Sequence, residues 1–180
     1  MGMDIKPIET SYNGYRFRSR LEARWAVFFR NVGLEYQYEP EGYQMDDIRY
    51  LPDFYIPSLN RWFEIKGKAL SVKEIQKCEE FCRRLDNESI KFSILIGPPQ
   101  PTILKVEDYE FFGILEYTWQ WPSEMYPDNV RIHTGTLVDE EYYSRFGQGI
   151  WVVPDVDKET VIAAVKKSRE ARFEYGETPD

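Results

Sequence analysis

The sequence predicts an α/β fold, with a mixed central sheet flanked by helices. Two amphipathic helical stretches, at 19–33 and 70–86, are separated by three strand-like runs. The run IKFSILIG follows the second helix, and a short, mostly apolar run of that kind marks a central strand buried on both faces. An order of helix, three strands, helix, strand calls for one mixed sheet with helices packed on it.

Each element has a local cause. TSYNGYRF sets Asn13-Gly14 between alternating residues, the signal of a two-residue hairpin turn. SRLEARWAVFFRNVG opens with Ser19 and Glu22 at the spacing of a helix capping box. Leu21, Trp25, Phe28 and Val32 then recur at helical spacing, and Gly33 ends the helix. LEYQYEP reads as a strand and EGYQMDD as a polar loop. IRYLPDFYI and RWFEIKG read as paired strands. LSVKEIQKCEEFCRRLD reads as a helix with Ile75, Cys78, Phe81, Cys82 and Leu85 inward, and Gly97-Pro98-Pro99 stops the strand after it. Further strands are expected around 111–119 and 149–153, and a terminal helix in DKETVIAAVKKSREARFEYG. Residues 1–100 are thus read as a core with an N-terminal hairpin, and residues 101–180 as a C-terminal extension packed on the same domain.

With 180 residues, 42% hydrophobic and 16% aromatic, the chain can bury a proper core and is not expected to be disordered. No apolar run approaches the ~18 residues of a membrane span, and MGMDIKPIET lacks the layout of a signal peptide. Cys78 and Cys82, four apart, suit one face of a reduced helix, so the cytoplasm is the expected compartment. A net charge of −8 argues against coating nucleic acid by bulk charge. The charge is uneven, however: residues 1–30 hold six Lys/Arg against three Asp/Glu, and residues 61–91 eight against six. An anionic partner would be met there. The single His133 excludes sites built from clustered His or Cys, and no G-x-S-x-G or G-x-x-x-x-G-K-[ST] stretch accompanies it. No nucleotide cofactor is expected.

LPDFYIPSLNRWFEIKGK, at 51–68, places an acid in each of two apolar strands. If Pro57-Ser58-Leu59-Asn60 is a four-residue loop, Asp53 faces Glu64, and Lys66 projects from the same face as Glu64. Like charges directly opposite destabilise a sheet, and a hard divalent cation removes that cost; oxygen ligands at this spacing suit Mg²⁺ or Mn²⁺. Lysine's compact charge suits it to hold a phosphate oxygen or an attacking water. The set fits metal-assisted attack of water on a phosphodiester. The plainer reading is a solvated edge hairpin in which Lys66 pairs with one acid.

Pro52-Asp53 and Glu64-Ile65-Lys66, in that element order, resemble the PD-(D/E)XK nuclease superfamily, whose core is the restriction-endonuclease-like αβββαβ arrangement. YRFRSRLEARWAVFF, YEPEGY and the tail SREARFEYGE look like small phage or prophage members. The resemblance implies Mg²⁺-dependent hydrolysis of DNA, leaving 5′-phosphate and 3′-hydroxyl ends, in phage DNA processing, recombination or host interaction. It implies that Asp53, Glu64, the backbone carbonyl of Ile65 and Glu22 hold the metal, while Lys66 orients or helps deprotonate the water. Glu22 has a rival role as the helix cap. Arg16, Arg18, Arg20 and Arg24, crowded at the start of the first helix, are candidate contacts to the DNA backbone, with Lys68 and Lys77 after the motif. Expected partners are DNA, a second copy of the chain, or a phage or host DNA-processing protein, and no membrane. One alternative is a catalytically inactive DNA-binding or assembly protein on the same fold. Another is a glycosidase, which Lys66 and the arginines disfavour.

Overall fold

The computed structural model describes residues 7–85, 90–106, 109–120, 131–133, 149–151 and 156–173. The chain opens with a hairpin of β1 (Thr10–Tyr12) and β2 (Tyr15–Phe17), paired Thr10 to Phe17 and Tyr12 to Tyr15. Asn13 and Gly14, at φ 48° and 80°, supply the left-handed pair that the two-residue turn demands. Helix α1 (Arg20–Asn31) follows, capped by Ser19 and stopped before Gly33, which stands at φ 76°. Next come β3 (Gln37–Tyr38), β4 (Tyr43–Met45), β5 (Ile48–Tyr50), β6 (Phe54–Ile56) and β7 (Arg61–Lys66). Helix α2 (Val72–Arg84) leads to β8 (Lys91–Ile96), β9 (Pro101–Val106), β10 (Tyr109–Gln120), β11 (Arg131–His133) and β12 (Gly149–Trp151). Helix α3 (Lys158–Glu170) is the last element; the end of the SREARFEYGE tail lies outside the described residues.

The main sheet runs β11-β10-β8-β7-β6-β3, with β9 and β12 also paired to β10. Strands β7 and β8 are parallel and the other pairs antiparallel, so the sheet is mixed, as expected. A parallel pair needs a crossover between its strands, and α2 lies in that crossover. The predicted β6–β7 register holds for three pairs, Phe54 with Phe63, Tyr55 with Trp62 and Ile56 with Arg61, while the fourth expected pair, Asp53 with Glu64, falls beyond the start of β6. A single 3₁₀ turn, Pro57–Leu59, and a left-handed Asn60 close the loop.

Strands at 101–106 and 131–133, where none was expected, also pair with β10, and the departure nearest the site lies before β6. IRYLPDFYI is not one strand, and EGYQMDD is not a loop. Tyr43–Met45 and Ile48–Tyr50 form their own hairpin, and the chain leaves strand geometry from Leu51 to Asp53. Pro52 has no N–H to give a ladder, so a strand continuing through it is disfavoured. Met45 and Tyr50 are instead buried against Trp62 and Phe81, a packing gain that residue polarity alone conceals.

Alternation along β6 and β7 divides the core. Phe54, Ile56, Phe63 and Ile65 pack with Trp25, Phe28 and Phe29 of α1. Trp62 faces the other way, with Phe92, Cys78 and Phe81. Helix α1 is buried more widely than its predicted stripe, with Ala23, Ala26 and Val27 also inside and Leu21 only half-buried. Its outer side is covered by α3, which buries Val161, Ala164, Val165 and Ser168. Phe29, fully buried, lies 5.3 Å from the Phe54 ring and 5.4 Å from the Phe63 ring. Phe29→Ala is expected to destabilise the fold by about 3–5 kcal/mol, read as a lowered urea midpoint.

Candidate active site

The end of the sheet where β7 finishes and β6 begins gathers four of the predicted residues. Lys66 is the last residue of β7, and Asp53 immediately precedes β6 on the antiparallel neighbour. The backbone pairing continues one residue beyond β3, because the Glu39 N–H donates to the Asp53 carbonyl at 2.9 Å. Glu22 enters from the first turn of α1.

Asp53 is almost wholly buried, and both its oxygens are engaged. Oδ1 lies 2.6 Å from Nη2 of Arg18, and Oδ2 accepts the Ile65 N–H at 2.7 Å. Because a strand residue exchanges N–H and C=O on the same side, the Ile65 carbonyl also faces the β6 edge. Burial pushes the Asp53 carboxyl well above the usual range, and the charges of Glu64 and Glu22 push it further; Ile65 N–H and Arg18 pull the other way.

Glu64, also buried, accepts from the Tyr50 hydroxyl at 2.9 Å on Oε2 and pairs with Lys66 Nζ at 2.9 Å on Oε1. Burial, then the Glu64 charge, hold the Tyr50 hydroxyl far above its ordinary pKa, so it stays a donor. Lys66 also lies 3.5 Å from Glu74 Oε1. Burial lowers the Lys66 pKa, but Glu64, Asp53 and Glu74 outweigh it, and the net shift is upward. Glu74 does double service as the capping-box acid of α2. Its bonds to the Ser71 hydroxyl and N–H, with Lys66 contributing, hold it down at about 2.

Glu22 caps α1 in a modified way. Its N–H donates to Ser19 Oγ, and Ser19 Oγ donates back to Oε1 at 2.7 Å. Oε2 takes the Arg18 N–H at 3.1 Å and the Tyr38 hydroxyl at 2.5 Å. Glu22 is therefore a cap, and its charge is also felt at Asp53.

The remaining predicted cations divide. Arg18 reaches the acids. Arg16 instead pairs with Glu9 on the exposed hairpin. Arg20 and Arg24 lie half-buried on the first turns of α1, the Arg24 Nε without a hydrogen-bond partner among the described residues. Lys68 and Lys77 are exposed, after β7 and on α2.

Sequence reasoning missed Tyr38, Glu39, Tyr50 and Glu74. Glu39 Oε1 stands 2.5 Å from Arg18 Nε, a charge contact without hydrogen-bond alignment. Its backbone holds φ 44°, unusual for a residue with a Cβ and a place where strain is stored. The signal for Tyr50 was the alternation of IRY with YQM, which a reading of 43–47 as loop hides.

Among the described residues no three Asp, Glu, His or Cys side chains stand as a preformed metal cage. The donor chemistry nevertheless fits a hard divalent cation. Glu22, Glu39, Asp53, Glu64 and Glu74 are carboxylates; Arg18 and Lys66 are the cations paired among them. Negative charge is in excess and all donors are oxygen; burial first, then the charges of Glu64 and Glu22, raise the Asp53 pKa. Among the described residues no helix is long and apolar enough to cross a membrane. No family model, curated protein or solved structure matches the chain.

Proposed function

We propose that the protein is a metal-dependent deoxyribonuclease of the PD-(D/E)XK, restriction-endonuclease-like kind. The observation that carries the reading is that Asp53 accepts the Ile65 N–H, between Glu64 and Lys66, while Lys66 pairs with Glu64 at 2.9 Å, at one end of a mixed sheet where the Glu22 charge is also felt. Mg²⁺, or Mn²⁺ in its place, held by Asp53, Glu64 and the Ile65 carbonyl, with Glu22 reaching it through water because both its oxygens serve the helix cap, would supply Lewis acidity toward the phosphoryl oxygen. The chain's own residues do the rest. Tyr50 fixes one oxygen of Glu64, so the other is left for Lys66. Lys66, drawn toward the protonated form, works as a charge that holds a phosphate oxygen or the attacking water rather than as a base. Exposed Lys68 and Lys77 are left to meet the DNA backbone.

A second reading, a DNA-binding protein without catalysis, is favoured by one observation: both Asp53 oxygens already have protein partners. Incubation with plasmid, linear, branched and single-stranded DNA in Mg²⁺, Mn²⁺ or EDTA separates the two. Cleavage is expected with the metals and none with EDTA. Binding without cleavage under every condition selects the second reading, and neither binding nor cleavage removes both.

A further inference from the structure

Where the Arg18 side chain stands is fixed by its neighbours. Nη2 meets Asp53 Oδ1 at 2.6 Å, and Nε meets Glu39 Oε1 at 2.5 Å. Its backbone N–H is tied to Glu22 Oε2 and to the Tyr38 hydroxyl, so the root of the side chain cannot wander. The pair it makes with Asp53 is lopsided. The Asp53 side chain is 3% exposed, whereas that of Arg18 is 54% exposed. The cation, half in water already, can leave more readily than the anion can follow it.

We propose that Arg18 is the built-in counter-ion of Asp53, exchanged for the divalent cation when the site loads. This rests on reading the site as metal-dependent. A guanidinium and a dication sharing one carboxylate oxygen repel strongly, even at the effective dielectric of a protein surface, so the two occupy Asp53 Oδ1 in turn. A bare Asp53 buried beside the charges of Glu64 and Glu22 would be a heavy local cost. Arg18 offsets part of that cost without closing the site, because a half-exposed arginine is released far more readily than a buried one. Glu39 keeps the guanidinium within reach on either side of the exchange.

The test is titration calorimetry with Ca²⁺ and with Mn²⁺ on the full chain, comparing wild type with Arg18→Gln and Arg18→Lys. Neither change touches the Arg18 backbone contacts, and a circular-dichroism melt checks that each variant folds. If Arg18 competes with the metal, Arg18→Gln binds each cation about tenfold or more tightly than wild type. Arg18→Lys, which keeps a charge but loses the fork, falls between. Equal affinity in wild type and Arg18→Gln overturns the exchange while leaving the metal site standing, and so does weaker binding by Arg18→Gln. Absence of binding in wild type and variants alike overturns both the exchange and the metal-dependent reading.

Discussion

Asp53→Asn is expected to cut DNA about a hundred- to thousandfold more slowly than wild type while making the cation-free fold more stable at neutral and alkaline pH. The loss of cleavage follows from taking a charge away from the group that would hold the metal. The gain follows from the raised pKa of the Asp53 carboxyl, whose first cause is burial and whose next is the charge of Glu64. In the unfolded chain this carboxyl ionises near ~3.9. In the fold it holds its proton to higher pH, so its contribution to stability is complete below ~3.9 and declines as pH rises through the folded value. Asparagine, like the protonated acid, carries no charge at any pH; its carbonyl keeps the Ile65 N–H and its NH₂ gives up the bond from the half-exposed Arg18. The difference in melting temperature, variant minus wild type, is therefore expected to grow between pH 5 and pH 8. Relief of opposed charges of this kind is worth on the order of 1 kcal/mol, or about 2–4 °C in a chain of this size. Alanine is the poorer probe, because it strips the buried Ile65 N–H of its acceptor and adds a cost of about 1–3 kcal/mol. Saturation with Mg²⁺ tests the other arm. At a hundredfold excess over Kd a bound cation stabilises the fold by about 2.7 kcal/mol, and that increment should be present in wild type and absent from Asp53→Asn. A difference in melting temperature that shrinks as pH rises would mean that Arg18 and Ile65, not the acids, dominate the environment of Asp53.

Much of the site was legible because strand geometry is periodic. Once Pro57–Leu59 is read as a turn, pairing and alternation together bring Asp53 to the end of the strand pair that carries Glu64 and put Lys66 on the face of Glu64. Ser19 and Glu22 were legible for the same reason, since a cap has a fixed spacing. Glu74 was missed although Ser71 and Glu74 stand at the same spacing, while the others that escaped have roles that depend on contacts between elements distant in sequence. Tyr50 meets Glu64 only because residues 43–50 fold back as a hairpin against α2, and nothing local to IRY announces that partner. Glu39 joins through a backbone bond to Asp53 just beyond a two-residue strand, too short to show a pattern. The arginine cluster was legible as a cluster but not in its division. Arg16 lies within β2 and Arg18 in the bend after it, where strand alternation no longer applies, so Arg16 went to Glu9 and Arg18 to Asp53.

The structure also changes what is to be expected of Lys66. A lysine serving as a base needs a pKa brought down toward neutrality, by burial or by neighbouring cations. Burial acts on Lys66, but Glu64, Asp53 and Glu74 surround it with the opposite charge and the balance is upward. A dication bound beside it would offset those carboxylates, which moves the balance without removing Glu74 on the far side, 3.5 Å away. Lys66 is thus built to be a positive charge at a fixed place. Lys66→Ala should lower kcat by about a hundred- to thousandfold, the loss typical of one charge-stabilising donor. Affinity for Ca²⁺ should not weaken, because the change removes a cation from beside the carboxylates. That combination separates a group acting on the phosphate from a metal ligand, whose loss would lower both. Lys66→Arg sharpens the distinction. A guanidinium cannot be deprotonated in a protein, so partial activity in Lys66→Arg is expected if charge is the role. Activity that Lys66→Arg abolishes as completely as Lys66→Ala, together with a wild-type rate that climbs with pH as an amine loses its proton, would return Lys66 to the role of base.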